Sequence, residues 1–401
     1  MKDPTSISFN NFFKYYLIFI CFCSIFFMSR TYQLEVNNSM AEWLINYQGG
    51  FGRRGLLGEL FAHISIKFNF PIRKTILYFL YFIFIVYYFL IYLFFKNIKK
   101  NKLIIISILS PLFVLFPLAE LEALGRKDIL IPLFFLIFCN FFLKTNFLIL
   151  SLILLICFPI LLLTHEVSIF YLPFFLAVLL FKIKNFNFTK LIFIIFILTV
   201  FVSIIYILSN SAHSSDQIKM MCDHMKNVLN DKCGLGAYVL KRVLADNIAE
   251  LGLNVTQLTR NLFILIFGFS ALFILSKNSY FNNQKKISII SKFFDFKFLM
   301  YIVFLPTLIP FLIAVDWGRW FNLSCTMLTL FYFFCYKNDN IILNDKTKMI
   351  EIFSYDSFKT KNFFLILVFI LCFSWNPKAV YHEDIGSFPI YRIITKIIKY
   401  Y

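Results

Sequence analysis

Charge is scarce in this chain. Only 15% of its 401 residues are charged, and 60% are hydrophobic. Mean hydropathy is +0.78, which excludes a soluble globule and describes a polytopic membrane protein. No internal repeat, Gly/Ser linker or low-complexity tail divides the sequence. There is no Walker A motif and no Gly-rich dinucleotide loop. These absences argue against an ATP-driven or nucleotide-sugar enzyme with a cytosolic catalytic domain. Charges are also nearly missing from the middles of the apolar runs, which argues against an ion-coupled pump. The first apolar stretch, Phe12 to Met28, has no small-x-small cleavage site after it. It reads as an uncleaved span rather than a signal peptide.

What is present is a succession of apolar runs of spanning length. The pattern predicts an all-α transmembrane bundle of about 11 helices, with roughly 10–12 as the bounds. They fall near 12–29, 75–95, 103–118, 129–143, 147–163, 167–181, 191–209, 261–276, 298–315, 320–336 and 362–375. The loop Lys96-Asn-Ile-Lys-Lys-Asn-Lys102 has four lysines and no acid, so the positive-inside rule makes it cytoplasmic. Alternation then puts the N-terminus, 144–146, 182–190, 277–297 and 337–361 inside as well. The C-terminus is expected outside. Residues 1–401 read as a single transmembrane domain with two sizeable outer elements, 30–74 and 210–260.

All nine arginines fall on the outer side of this topology. Lysine alone satisfies a positive-inside bias. Forked guanidinium groups on the opposite face suggest bidentate recognition of phosphate or carboxylate. Four charged motifs carry the argument. Gly49-Gly-Phe-Gly-Arg-Arg-Gly-Leu-Leu-Gly-Glu59 combines backbone that can approach a ligand with Arg53 and Arg54. It reads as a phosphate clamp or as an interfacial loop on lipid head groups, followed by a short interfacial or re-entrant helix over 56–66. Glu120-Leu-Glu-Ala-Leu-Gly-Arg-Lys-Asp128 brings Arg126, Lys127 and Asp128 to a helix link. Thr164-His-Glu166 offers His165 or Glu166 as a general base. Asp316-Trp-Gly-Arg-Trp320 offers an Asp316–Arg319 pair at helical spacing. Trp317 and Trp320 there could anchor at the interface or stack on a sugar ring. Pro117, Pro159 and Pro310 precede the last three motifs, so kinked helix ends could splay around a polar cavity. Arg30, Arg73, Arg242, Arg260 and Arg392 lie outside such motifs.

Cys222 and Cys233 are the only cysteines outside the predicted spans. The outer side of a bacterial membrane is oxidising, which makes them disulfide candidates. Residues 238–251 have the spacing of an amphipathic helix. No convincing metal set is present and no cofactor is expected. Nucleic-acid binding lacks a soluble basic domain to host it.

The span number, the uneven outer loops and the motifs at 52–55, 125–128, 164–166 and 316–319 resemble Wzy-type O-antigen or capsular polysaccharide polymerases. These belong to the broad GT-C class of multi-span glycosyltransferases. The resemblance implies a bacterial inner-membrane, multi-pass enzyme. Its substrate would be an undecaprenyl-diphosphate-linked oligosaccharide, polymerised at the periplasmic face. Membrane lipids and a chain-length regulator or other glycan-assembly proteins are the implied partners. Arg53, Arg54, Arg126, Lys127, Arg319, Trp317 and Trp320 are then expected to bind diphosphate and sugar. His165 or Glu166 would be the base, with Asp128 and Asp316 as alternatives or as groups orienting arginines. Other readings are a GT-C enzyme adding one sugar from a polyprenyl-phosphate donor, a lipid-linked oligosaccharide flippase, and a membrane O-acetyltransferase. The single-sugar enzyme would use an acid of the first outer loop, for which Glu35, Glu42 and Glu59 are available.

Overall fold

The computed structural model describes residues 4–33, 38–96, 98, 101–183, 188–209, 214–233, 236–237, 240, 255–282, 291, 293–314, 316–344, 366 and 389–400. The expected helix at 238–251 and the expected span at 362–375 lie almost wholly outside them. The described chain is mostly helical. It runs through α1 (Pro4–Thr31), α2 (Asn38–Ala41), α3 (Leu56–Phe68), α4 (Ile72–Phe95), α5 (Lys102–Ile108) and α6 (Phe116–Ala119). Next come α7 (Leu130–Lys144), α8 (Phe147–Thr164), α9 (Leu172–Leu180), α10 (Phe188–Ser209) and α11 (Ser215–Asn227). The remainder is α12 (Val255–Lys277), α13 (Phe296–Phe304), α14 (Ile309–Ile313), α15 (Trp317–Lys337) and α16 (Pro389–Tyr400). Strands β1 (Ser279–Phe281) and β2 (Ile341–Leu343) form one antiparallel pair, with Tyr280 opposite Ile342.

Among the described residues, five helical stretches are long and apolar enough to cross a membrane: Phe9–Thr31, Ile72–Phe95, Phe147–Thr164, Phe188–Leu208 and Phe296–Ile313. Their outward faces are lined by large apolar side chains such as Phe22, Phe82, Ile156 and Val202, as a lipid-facing surface requires.

Three expected spans are broken, each at proline. The run 103–118 divides into α5, a turn around Pro111, and α6 with Pro117 in its first turn. Proline lacks the N–H that would continue the helix. The carbonyls of Leu112 and Phe113 accept instead from the Asn322 side-chain amide, at 2.7 and 3.1 Å. The run 167–181 opens as a 3-10 turn over Glu166–Tyr171, before Pro173 starts α9. The run 298–315 becomes α13, a 3-10 turn at Leu305–Leu308 and α14, with Pro306 and Pro310 at the starts of the later pieces.

The chain forms two compact units. The first comprises Met1–Phe22, Tyr88–Ala123 and Leu251–Tyr401; the second comprises Cys23–Tyr87 and Leu124–Glu250. In the first, α15 is the central helix, buried along nearly its whole length from Gly318 to Cys335. Its Lys337 ammonium caps the end of α4 through the Phe94 carbonyl at 3.0 Å. In the second, Phe175 on α9 is the hub of an aromatic core. Its ring lies 5.2 Å from Phe135 and 5.5 Å from Phe138 on α7, and 5.3 Å from Phe158 on α8. Phe158 also meets Phe201 on α10 at 4.8 Å. Aromatic pairs of this kind add about 0.5–1.5 kcal/mol each beyond their buried area. This core fixes α7, α8 and α9, whose ends carry residues 126–128 and 165–166.

Candidate functional site

Three of the four charged motifs meet within the second unit, around a segment that begins at Glu42. Residues Glu42–Leu44 form a 3-10 turn with all three side chains buried. Trp43 is fully buried, and its indole N–H donates to the Gly125 carbonyl at 2.6 Å. Gly125 has φ +76°, a left-handed conformation open to glycine at little cost. Arg126 follows in extended conformation, and Lys127 opens the short turn that leads into α7. One side of this site is therefore placed by an indole, a left-handed glycine and a helix start.

The ion pairs are specific. Arg126 Nη1 donates to Glu42 Oε1 at 2.9 Å, with both groups buried. Arg54 grips Glu166 through Nε at 2.8 and 2.9 Å and through Nη2 at 2.7 Å. This is the bidentate geometry that arginine favours with carboxylates. Arg54 itself has φ +67°. A non-glycine residue in that region costs about 1–2 kcal/mol, so the surrounding contacts must hold it there. One of them is visible: the Lys127 ammonium donates to the Arg54 carbonyl at 2.7 Å. Lys127 is completely buried, with its ammonium 5.6 Å from the centre of the Trp43 ring.

Burial shapes the charges. It pulls the Lys127 ammonium down to about 7; Glu42 and Glu166 oppose that fall and Arg54 adds to it. Burial alone would raise Glu166. The Arg54 charge and hydrogen bonds, aided by Arg53, more than reverse this and hold the carboxylate well below its usual range. A carboxylate held so low is a poor proton acceptor near neutrality. Burial also lowers Arg53, with Glu166 opposing the effect and Arg54 reinforcing it.

His165 is held against Asp128. Its Nε2 lies 2.7 Å from Asp128 Oδ1, and its ring is 1% exposed. Its Nδ1 has no hydrogen-bond partner among the described residues. Carboxylate contact at Nε2 selects the tautomer with the proton there, leaving the Nδ1 lone pair free. The backbone supports the ring: His165 N–H donates to Leu161 O at 2.8 Å, and His165 O accepts from Ser168 N and Oγ.

The fourth motif belongs to the first unit. Asp316 pairs with Arg319, and the Arg319 guanidinium lies 4.9 Å from the Trp320 ring centre. The indole N–H groups of Trp317 and Trp320 have no acceptor among the described residues. Cys222 and Cys233 form a disulfide. Arg73, which no motif singled out, pairs with Asp231 at 2.7 Å. Of the three first-loop acids, Glu42 joins the cluster. Glu59 instead accepts from Tyr47 N at 2.9 Å and Gln48 Nε2 at 2.6 Å, bracing the loop. Glu35 lies outside the described residues. Trp43 was missed in the sequence, although a lone indole beside an acid in a polar loop is a usable signal. Among the described residues no three metal-ligating side chains gather. Comparison of the chain with protein-family models, with curated proteins and with solved structures finds no match.

Proposed function

We propose that the chain is a membrane glycosyltransferase that polymerises oligosaccharide units carried on a polyprenyl diphosphate at the outer face of a bacterial inner membrane. The observation that carries this reading is the meeting of three charged segments in one partly buried cluster. It joins guanidinium forks to a carboxylate-oriented histidine. Transfer of a glycan needs both. The acceptor hydroxyl oxygen bonds to the anomeric carbon as the bond from that carbon to the diphosphate oxygen breaks. His165 Nδ1 takes the hydroxyl proton, and Asp128 stabilises the resulting imidazolium. The diphosphate leaves with its electron pair, and Arg53, Arg54 and Arg126 meet its charge. The eleven-span topology, with the N-terminus inside and the C-terminus outside, belongs to the same proposal.

Glu42 favours a second reading. An acid of the first outer segment, buried beside Arg126, suits a transferase that adds a single sugar from a polyprenyl-phosphate donor. The product separates the two. In vesicles supplied with a polyprenyl-diphosphate-linked oligosaccharide, the polymerase yields a ladder of repeats and the transferase one added residue. His165→Gln is expected to insert normally and leave single units. A ladder of normal length from that variant would sink the assignment.

A further inference from the structure

The segment that delivers Glu42 and Trp43 is covered on its other side. Ile45 packs in a buried apolar cluster with Ile218, Met221, Ala237 and Leu240, and Cys222 and Cys233 lie against it. Backbone meets backbone at two glycines. A methyl group on Gly49 would overlap the Gln217 carbonyl, and one on Gly236 would come within 2.7 Å of the Ala41 oxygen. Asn46 Nδ2 reaches Met225 Sδ at 3.5 Å. Arg73 holds Asp231, two residues before Cys233. Residues 41–50 thus lie between the charged cluster and a cover made of α11, Cys233, Gly236, Ala237 and Leu240.

That cover is slight. α11 has 13 residues, a length at which an isolated helix is marginal. Its apolar side amounts to a few residues, and the return from Asn227 to Ala237 contains no described helix or strand before Gly236. The disulfide joins α11 to that return across a separation of 11 residues. By closing the loop it removes the entropy that would otherwise oppose the seating.

We propose that the Cys222–Cys233 bond is an oxidative switch for the charged cluster: its closure seats α11, Gly236, Ala237 and Leu240 on residues 41–50 and thereby holds Glu42 and Trp43 in position. Closure removes two protons and two electrons from the thiols. A disulfide-bearing oxidant of the outer compartment accepts them by thiol–disulfide exchange, its own disulfide becoming two thiols. The partner is thus a disulfide donor acting after the loop has crossed the membrane. The consequence for activity rests on the glycosyltransferase reading; the positional consequence does not.

The test uses the full-length protein in detergent, oxidised or treated with dithiothreitol, with the state of the bond read by alkylation and mass. Hydrogen exchange at amides 42–46 is expected to quicken about ten-fold or more on reduction and to recover on reoxidation, because local opening sets those rates. Amides within α15 should not respond. Glycan transfer should fall on the order of 100-fold, as expected when a positioned group is displaced. Cys222→Ala/Cys233→Ala should behave as the reduced protein. Unchanged exchange at 42–46 with the bond broken would overturn the switch, as would full activity after reduction. An exchange response with no glycan transfer in either state would leave the switch standing and sink the glycosyltransferase reading.

Discussion

Lys127 carries the clearest consequence of a single side chain. Its ammonium titrates near 7 in the fold, against 10.5 for an unperturbed lysine. Below about 7 both folded and unfolded chains hold the proton, and the cost of burying the charge is fully present. Between 7 and 10.5 the unfolded chain binds more protons than the folded one, so stability rises with pH across that window. Thermal unfolding in detergent should show this rise for the wild type and not for Lys127→Met. Parallel curves would contradict it. The charged residues themselves were legible in the sequence, because costly groups at the ends of apolar runs need a reason to be there. Their partners were not legible. Arg126 reaches Glu42 across 84 positions, and Arg54 reaches Glu166 across 112. No local spacing rule spans such distances, so guanidinium groups expected to meet a ligand proved to hold carboxylates. The i, i+3 pair Asp316–Arg319 is the exception, since helical geometry alone brings it together.

Among the elements, α3 shows how tightly the site is built. A methyl group on Gly58 would overlap the Ile45 carbonyl and lie 2.9 Å from the Trp43 oxygen. Both carbonyls belong to the segment that positions Glu42. Gly58→Ala is therefore expected to cost about 1–3 kcal/mol, the usual range for an insertion without room. Denaturant unfolding measures it, and a variant as stable as the wild type would show that α3 can slide. Hydropathy located most elements well. It found α4, α8 and α10 within about three residues and α1 short of its first two turns, because long apolar runs have few alternatives in a membrane. It found the stretch Phe296–Ile313 but not its 3-10 turn at Pro306, and it missed the breaks at Pro111 and Pro173, since proline counts as a neutral residue in a window but interrupts a hydrogen-bond ladder. The break at 109–115 depends on a distant residue, Asn322, to satisfy its carbonyls. Only the assembled fold supplies that.

For the whole molecule, the division of lysine from arginine is a statement about sidedness. Phe51→Cys, on a residue 52% exposed, should react with an impermeant thiol label from outside intact cells. Lys99→Cys should react only after permeabilisation, because the proposed topology puts the lysine cluster at 96–102 inside. Labelling with the two sides reversed would put the arginine motifs in the cytoplasm and remove the basis for an outer-face enzyme. The prior engagement of the arginines has a last consequence. In the proposed reaction a phosphate that takes Arg54 or Arg126 must displace Glu166 or Glu42, so each new ion pair replaces one already formed. Such an exchange liberates few condensed ions and gains little from long-range attraction, in contrast to an open basic groove. Recruitment of the proposed lipid-linked substrate would then depend on how much hydrocarbon it leaves in the bilayer, and varying ionic strength should alter it little.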